Sequence, residues 1–226
     1  TAFWDYVLLK GGKVVAAQAY NPEETDFRHV VQRIVGTFYA EEDRSKEFKI
    51  RLEDWKKNQK SKSAREKFPS DLMPPIVEFD AVFIPDNPKT TGQIAAMLAY
   101  NDVPAVPLLG TNLWNTPQII ARGGKAVEKS LFVDSYFTED NRSEMRKFNN
   151  DFEKAFGYKP DVFEVQGYDA AALVGSVLKS SGFDSSRITL REQLARAQNI
   201  NGATSNLRVS ANREVEKNLV PLTITD

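Results

Sequence analysis

The sequence predicts an α/β fold, a three-layer sandwich with a mostly parallel central sheet, a charged helical insert and a C-terminal hairpin. Short apolar runs of strand character alternate with amphipathic stretches of helical period, which is the pattern of βαβ units. Turn and helix-cap residues stand after most of those runs, as αβ connections require. The chain has 226 residues, 41% hydrophobic and 27% charged, enough to bury a sizeable core.

The elements follow in order. Phe3, Trp4, Val7 and Leu8 have helical spacing, and Gly11-Gly12 stops it, as in the last turns of a helix. Lys13 to Ala19 reads as a buried strand. Tyr20 to Asp26 is a loop, and Asp26 is placed to cap a helix with Phe27, Val30, Val31, Ile34 and Val35 on one face. From Glu41 to Lys67 the chain is dense in both charge signs. This tract reads as an exposed, partly helical excursion, with Phe48, Leu52 and Trp55 as one thin apolar stripe. Lys56, Lys57, Lys60 and Lys62 read as part of a solvated face rather than a tether for a polyanion, because acids are interleaved upstream. Pro69, Pro74 and Pro75 then impose an extended segment.

Regular alternation resumes with a strand at 80–85 and a helix at 90–100 bearing Ile94, Met97 and Leu98. A strand at 105–109 ends at Gly110, and Thr116-Pro117 opens a short helix. A strand at 130–134 precedes a helix from Ser143 to Phe156 that Gly157 ends. Gln166 to Ser180 is a more apolar helix, with Ala170, Ala171, Val174, Val177 and Leu178 expected on its covered face. Thr189 and Glu192 read as the capping box of a helix over 189–197. The tail alternates at period two over 206–209 and 219–225, with Ala211-Asn212-Arg213 as the turn of a closing hairpin.

Several kinds of chemistry are excluded. The chain has no cysteine, hence no disulfide, thiolate zinc site or cysteine nucleophile. A formal net charge of −1 gives no global field for nucleic acid. No apolar run approaches the roughly 20 residues that span a bilayer. The one histidine, His29, lies within an amphipathic helix without a triad partner, and reads as a solvated or packed side chain. No GxSxG, HExxH, Walker A or GxGxxG pattern occurs. Asp134, Glu139 and Asp140 follow a strand, yet their spacing matches no metal-ligand set and reads as a solvated acidic loop. Neither a catalytic residue, a metal nor a cofactor is therefore expected.

What remains is polar and unreactive. Open parallel sheets bind ligands outside the carboxyl ends of their strands. The residues that follow strands here are Tyr20, Asp86-Asn87 and Thr111-Asn112, with Trp114 close behind. They offer donors, acceptors and one large aromatic wall for a small polar solute. Lys89 and Thr90 begin a helix whose free N–H groups favour an anionic ligand group.

These phrases carry a resemblance. KVVAAQAYNPEETDF, FDAVFIPDNPKTTGQIAAML and VPLLGTNLWN, in that order, resemble the second lobe of type I (leucine-binding-like) periplasmic solute-binding proteins. RKFNNDFEKAFGYKPDVFEVQGYDAAALVGSVLKSSG and the closing SNLRVSANREVEKNLVPLTI resemble later parts of the same family. IPDNPK, LLGTNLWN and the charged insert are most similar to its penicillin-binding protein activator (LppC-like) lipoprotein branch.

The resemblance implies a second lobe at 1–137 with an insert at 39–78, first-lobe and crossover helices at 138–203, and a closing segment at 204–226 that returns to the second lobe. The family's leading first-lobe units are missing from the sequence. The implied function is capture of a small polar, amino-acid-like solute in a cleft between lobes, as a transporter-linked or sensory receptor outside the cytoplasm. The implied partner is a membrane permease. In the lipoprotein branch it is a cell-wall synthase, with a lipid anchor upstream. Leucine binders place an acid near Asn112 to hold the ligand ammonium, and asparagine supplies no such charge, which argues against branched-chain amino acids. The helix at 166–180 would cover the first lobe's sheet in the family. It should here be covered by a second copy, by its own lobe or by a first-lobe polypeptide.

Overall fold

The computed structural model describes residues 2–38, 45–59, 72, 74–103, 105–182 and 186–225. Lys60, Lys62, Pro69 and both flanks of the charged tract lie outside the described residues. The fold is mixed α/β with a mostly parallel sheet, as the alternation predicts. The chain forms two compact units, one of Thr1–Leu131 with Thr223–Asp226 and one of Phe132–Leu222.

In the first unit, α1 (Ala2–Leu9) stacks Phe3 on Phe83 with ring centroids 3.9 Å apart. Helix α2 (Arg28–Ile34) buries Val30 and Val31, and Phe27 and Val35 beside it are also buried. The N-cap is Phe27 rather than the expected Asp26, and Asp26, one residue earlier, accepts from the Arg28 N–H at 3.1 Å. The Arg28 guanidinium holds its carboxyl down to about 2. His29 is exposed, with its ring edge-on to Phe38. Within the charged tract, α3 (Ser45–Asn58) forms, with Phe48, Leu52 and Trp55 half-buried along one stripe.

Strands β1 (Val82–Phe83) and β2 (Leu108–Gly110) are parallel, with Val82 opposite Leu108 and Phe83 opposite Leu109. Between them runs α4 (Pro88–Tyr100), with Asn87 as its N-cap and Pro88 in the first turn. It buries Ile94, Ala95 and Leu98. Helix α5 (Pro117–Gly123), capped by Thr116, packs against α4. The approach is close at Gly92, where a Cβ would stand 2.8 Å from the Arg122 carbonyl oxygen. Backbone cannot yield as a flexible side chain would. Gly92→Ala is therefore expected to destabilise the first unit by about 1–3 kcal/mol, read by urea denaturation.

The expected strand at 13–19 is not a strand. Residues 12–20 make no regular structure, and Val15 is exposed. Apolar side chains alone do not make a strand, because its N–H and C=O groups need a neighbouring ladder. None of the described strands takes this segment as a partner.

Strand β3 (Leu131–Asp134) begins at the end of the first unit's long segment and continues into the second unit, where α6 (Ser143–Phe156) ends at left-handed Gly157, φ 78°. Helix α7 (Val162–Ser181) starts a turn earlier than the predicted 166. Asp161 and Glu164 form a capping box there. Its buried stripe is Val165, Asp169, Leu173 and Val177. Ala170, Ala171 and Val174, expected on the covered face, are exposed. The stripe is covered within the unit, where Leu173 and Val177 pack with Ala197, Leu207 and Val209. The following helix, α8 (Arg187–Leu194), is also early: Ser186 is its cap and accepts from the Thr189 N–H, so Thr189 sits inside the first turn rather than before it.

Strands β4 (Ile200–Asn201), β5 (Asn206–Val209) and β6 (Val215–Glu216) form an antiparallel sheet in that order. The predicted turn at 211–213 is present, with Arg213 at φ 64°. Its far strand, however, is 215–216, which pairs Val209 with Val215. The segment predicted for that role, β7 (Val220–Thr223), lies beside β3 instead. Six residues beyond the turn are too many for a tight hairpin register, and the first alternating pair takes the position. Asp134 is buried and accepts from the Ser135 and Tyr136 N–H groups, and Asp140 pairs with Arg142. Among the described residues no group of acids and histidines could hold a metal, and no helix is long and apolar enough to cross a membrane.

Candidate functional site

The strand ends of the first unit bring most of the predicted site residues together. Asp86 follows β1, and its carboxylate is the hub. The Tyr20 hydroxyl donates to Oδ2 at 2.7 Å. Oδ1 accepts from the Asn87 N–H at 2.6 Å and the Asn87 amide at 2.8 Å. Burial and the neighbouring Asp86 push the Tyr20 phenol up, so it remains a donor. Phe27, edge-on to Tyr20 at 5.2 Å between centroids, fixes the ring from below.

Asn87 is fully engaged as a cap, its oxygen accepting from the Lys89 and Thr90 N–H groups. This corrects the expectation of an anion at the start of α4. The donors that would greet an anion are taken by Asn87, and the Asp86 carboxylate stands beside them.

Trp114 differs from its expected place as an aromatic wall. It is 0% exposed, in a 3₁₀ turn over Asn112–Trp114 that follows β2. Its indole N–H donates to the Asp86 carbonyl at 3.1 Å. Gly110 lies directly against the ring, where a Cβ would be 2.2 Å from the indole. Trp114 therefore supports the Asp86 turn from beneath. Thr111 is half-buried, and its buried hydroxyl oxygen has no hydrogen-bond partner among the described residues. Asn112 is exposed at the start of the 3₁₀ turn. Tyr20, Asp86, Asn87 and Trp114 are thus joined by direct bonds, and Thr111 and Asn112 lie on the turn that Trp114 anchors.

Two features went unread in the sequence. Thr91 is buried and its hydroxyl donates to the Asp86 carbonyl at 3.4 Å, a second hold on the turn. The second unit carries a polar groove of about 700 Å³ lined by Tyr136, Asp140, Arg146, Asn149, Glu153 and Lys159. It is assembled from a loop, a helix and the segment after that helix, so no local motif marks it.

No curated protein sequence matches the chain. Among solved structures, a protein from Rhodospirillum rubrum assigned as a branched-chain amino acid ABC transporter is 22% identical, with a TM-score of 0.71 over 99% of this chain and 53% of that one. An ABC transporter solute-binding protein from R. palustris, in complex with benzoate, is 19% identical, with a TM-score of 0.58 over 99% of this chain and 50% of that one. An ABC transporter substrate-binding protein from Desulfitobacterium hafniense, in complex with Leu, is 17% identical, with a TM-score of 0.58 over 100% of this chain and 53% of that one. The chain spans about half the length of these structures, and the likeness establishes the fold. The family model for periplasmic binding proteins matches residues 78–221. That match takes in β1, the Asp86 turn, β2, the three helices of the second unit and the antiparallel sheet, and on it the chain belongs to the periplasmic binding protein family.

Proposed function

We propose that this protein captures a small polar solute outside the cytoplasm and presents it to a membrane transporter, as a type I, leucine-binding-like receptor. The observation that carries this reading is the family match combined with the constellation at the strand ends. Tyr20, Asp86, Thr111 and Asn112 supply hydrogen-bonding groups at the edge where open parallel sheets take their ligands. The two compact units would be parts of the family's two lobes, the first unit being the second lobe and Phe132–Leu222 belonging to the first. No step of the function makes or breaks a bond.

The solved relatives bind leucine in one case and benzoate in another, so a panel should span amino acids, aromatic acids and polyols. A receptor is stabilised by its ligand by RT ln(1 + [L]/Kd), about 2.7 kcal/mol at a hundredfold excess over Kd. We expect at least one member of such a panel to raise the melting temperature of the full-length protein. A flat response across a broad panel would overturn the reading. If a flat response came with capture of a cell-wall synthase, it would favour the lipoprotein-activator alternative, which rests on sequence phrases alone.

A further inference from the structure

We propose that the polar groove of the second unit is a peptide-binding site, and that it takes an extended segment presenting an acidic and a basic group three residues apart. The groove, of about 700 Å³, lies wholly within that unit and shares no residue with the strand-end turn. Helix α6 builds one wall. Its Met145, Phe148 and Phe152 pack into the core of the unit. Arg146, Asn149, Asn150 and Glu153, spaced i, i+3, i+4 and i+7, are left along the groove.

The other walls are the loop after β3 and the segment after α6, and both are fixed. The buried Tyr136 hydroxyl donates to the Pro160 carbonyl at 2.9 Å and is bonded to the Thr138 side chain as well. The Asp140 carboxylate accepts from the Arg142 N–H at 2.9 Å, and the Asp140 N–H donates to the Phe137 carbonyl at 3.1 Å. The groove is therefore formed before any occupant arrives. Its own polar groups are short of partners. Asn149 Oδ1 is buried with no hydrogen-bond partner among the described residues, and a buried acceptor in that state calls for a donor. Arg146 and Lys159 make no ion pair among the described residues, and neither do Glu139 and Glu153.

Free charges of both signs decide the class of occupant. A polyanion meets both glutamates, a polycation meets both basic groups, and a neutral sugar leaves all four charges as they were. A peptide answers each demand, with a backbone N–H for Asn149 and groups of both signs for the rim. Length sets the spacing. Arg146 and Glu153 are two turns apart on α6, about 10 Å along its axis. An extended chain covers about the same distance in three residues. An acid facing Arg146 and a base facing Glu153 are then three positions apart. Because the N–H must meet one fixed acceptor, the bound peptide has one direction.

The test is an NMR titration of the protein, read at the Asn149 side-chain amide. Two blocked tetrapeptides, acetyl-Glu-Ala-Ala-Lys-amide and acetyl-Lys-Ala-Ala-Glu-amide, stand for a segment within a protein. Unblocked tetra-alanine, charged only at its ends, stands for a free oligopeptide. Maltotetraose and inorganic phosphate are the controls. We expect a peptide to shift the Asn149 signal and the controls not to, with the arm that binds identifying the source. Of the blocked pair, one order should bind more tightly than the other. Exchanging the charges, Arg146→Glu with Glu153→Arg, should reverse that preference, and both side chains are exposed, so the fold is kept. Asn149→Leu should weaken peptide binding by about tenfold while the urea midpoint stays level or rises, since it removes a buried acceptor that had no partner. An asparagine with only a structural role would lower the midpoint instead. The inference is overturned if no peptide moves the Asn149 signal, or if a control binds more tightly than every peptide. It is equally overturned by peptide affinities that the charge exchange leaves unchanged.

Discussion

Replacing Trp114 with alanine is expected to cost the first unit about 3–5 kcal/mol, the range for removing a large buried aromatic side chain. Trp114 is fully buried, and Gly110 is shaped to receive its ring. Two losses combine. The cavity left under the 3₁₀ turn has no side chain to fill it, and the Asp86 carbonyl loses the indole donor. The remaining donor to that carbonyl, the Thr91 hydroxyl, stands at the long limit of a hydrogen bond. Trp114→Phe separates the two losses: it keeps much of the packing and forfeits the hydrogen bond, a net cost near ~1 kcal/mol. Urea unfolding followed by near-ultraviolet circular dichroism measures both, since Trp4 is exposed and Trp55 only half-buried. An alanine variant with an unchanged midpoint would mean that the ring is not part of the core. Gly110→Ala is a converse test at the same contact, because its methyl would enter the space of the indole.

The candidate site was legible in part, and the division has a physical basis. Asp86-Asn87 and Thr111-Asn112 were found because a strand end followed by turn and cap residues is a local pattern, visible within ten residues. The bond from Tyr20 to Asp86 spans 66 residues and leaves no local trace. Nor does sequence distinguish an aromatic that lines a site from one that props it up. Trp114 has the same neighbours in the chain either way, and only the absence of a Cβ at Gly110 hints that the ring lies against backbone.

The same distinction governs the fold. Strands at 82–83, 108–110 and 131–134 lie within their predicted runs or extend one by a single residue, and the helices after the first two have readable caps in Asn87 and Thr116. The run at 13–19 has the composition of a strand, yet whether it pairs depends on residues elsewhere in the chain. Helix α7 illustrates a subtler error. Its apolar residues were assigned to the covered face by hydrophobicity, whereas the buried stripe includes Asp169 and leaves Ala170, Ala171 and Val174 exposed. A buried acid disguises the true face, because pattern recognition assigns charge to the solvent side.

That acid yields the other large effect. Asp169→Ala is expected to destabilise the second unit by about 3 kcal/mol or more, since it strands several buried donors at once. The carboxylate is 4% exposed and accepts from the Ala203 N–H at 2.6 Å, the Thr204 N–H at 3.4 Å and the Thr204 hydroxyl. These groups form the turn between β4 and β5, where Ala203 and Thr204 are themselves buried. Water does not readily replace the lost acceptor at such a site. Gly202 makes the contact possible, because a Cβ there would meet Oδ1 at 2.5 Å. Asp169 thus ties α7 to the antiparallel sheet above the cluster of Leu173, Val177, Leu207 and Val209. Asp169→Asn retains one carbonyl acceptor and should cost less than the alanine change, because only part of the donor set is left unpaired. Hydrogen exchange localises the effect. The Ala203 and Thr204 amides should lose protection in Asp169→Ala, while amides of β1 and β2 in the other unit keep theirs. If Ala203 and Thr204 stay as protected as in the wild type, the turn is held by its own backbone and the carboxylate is not its anchor.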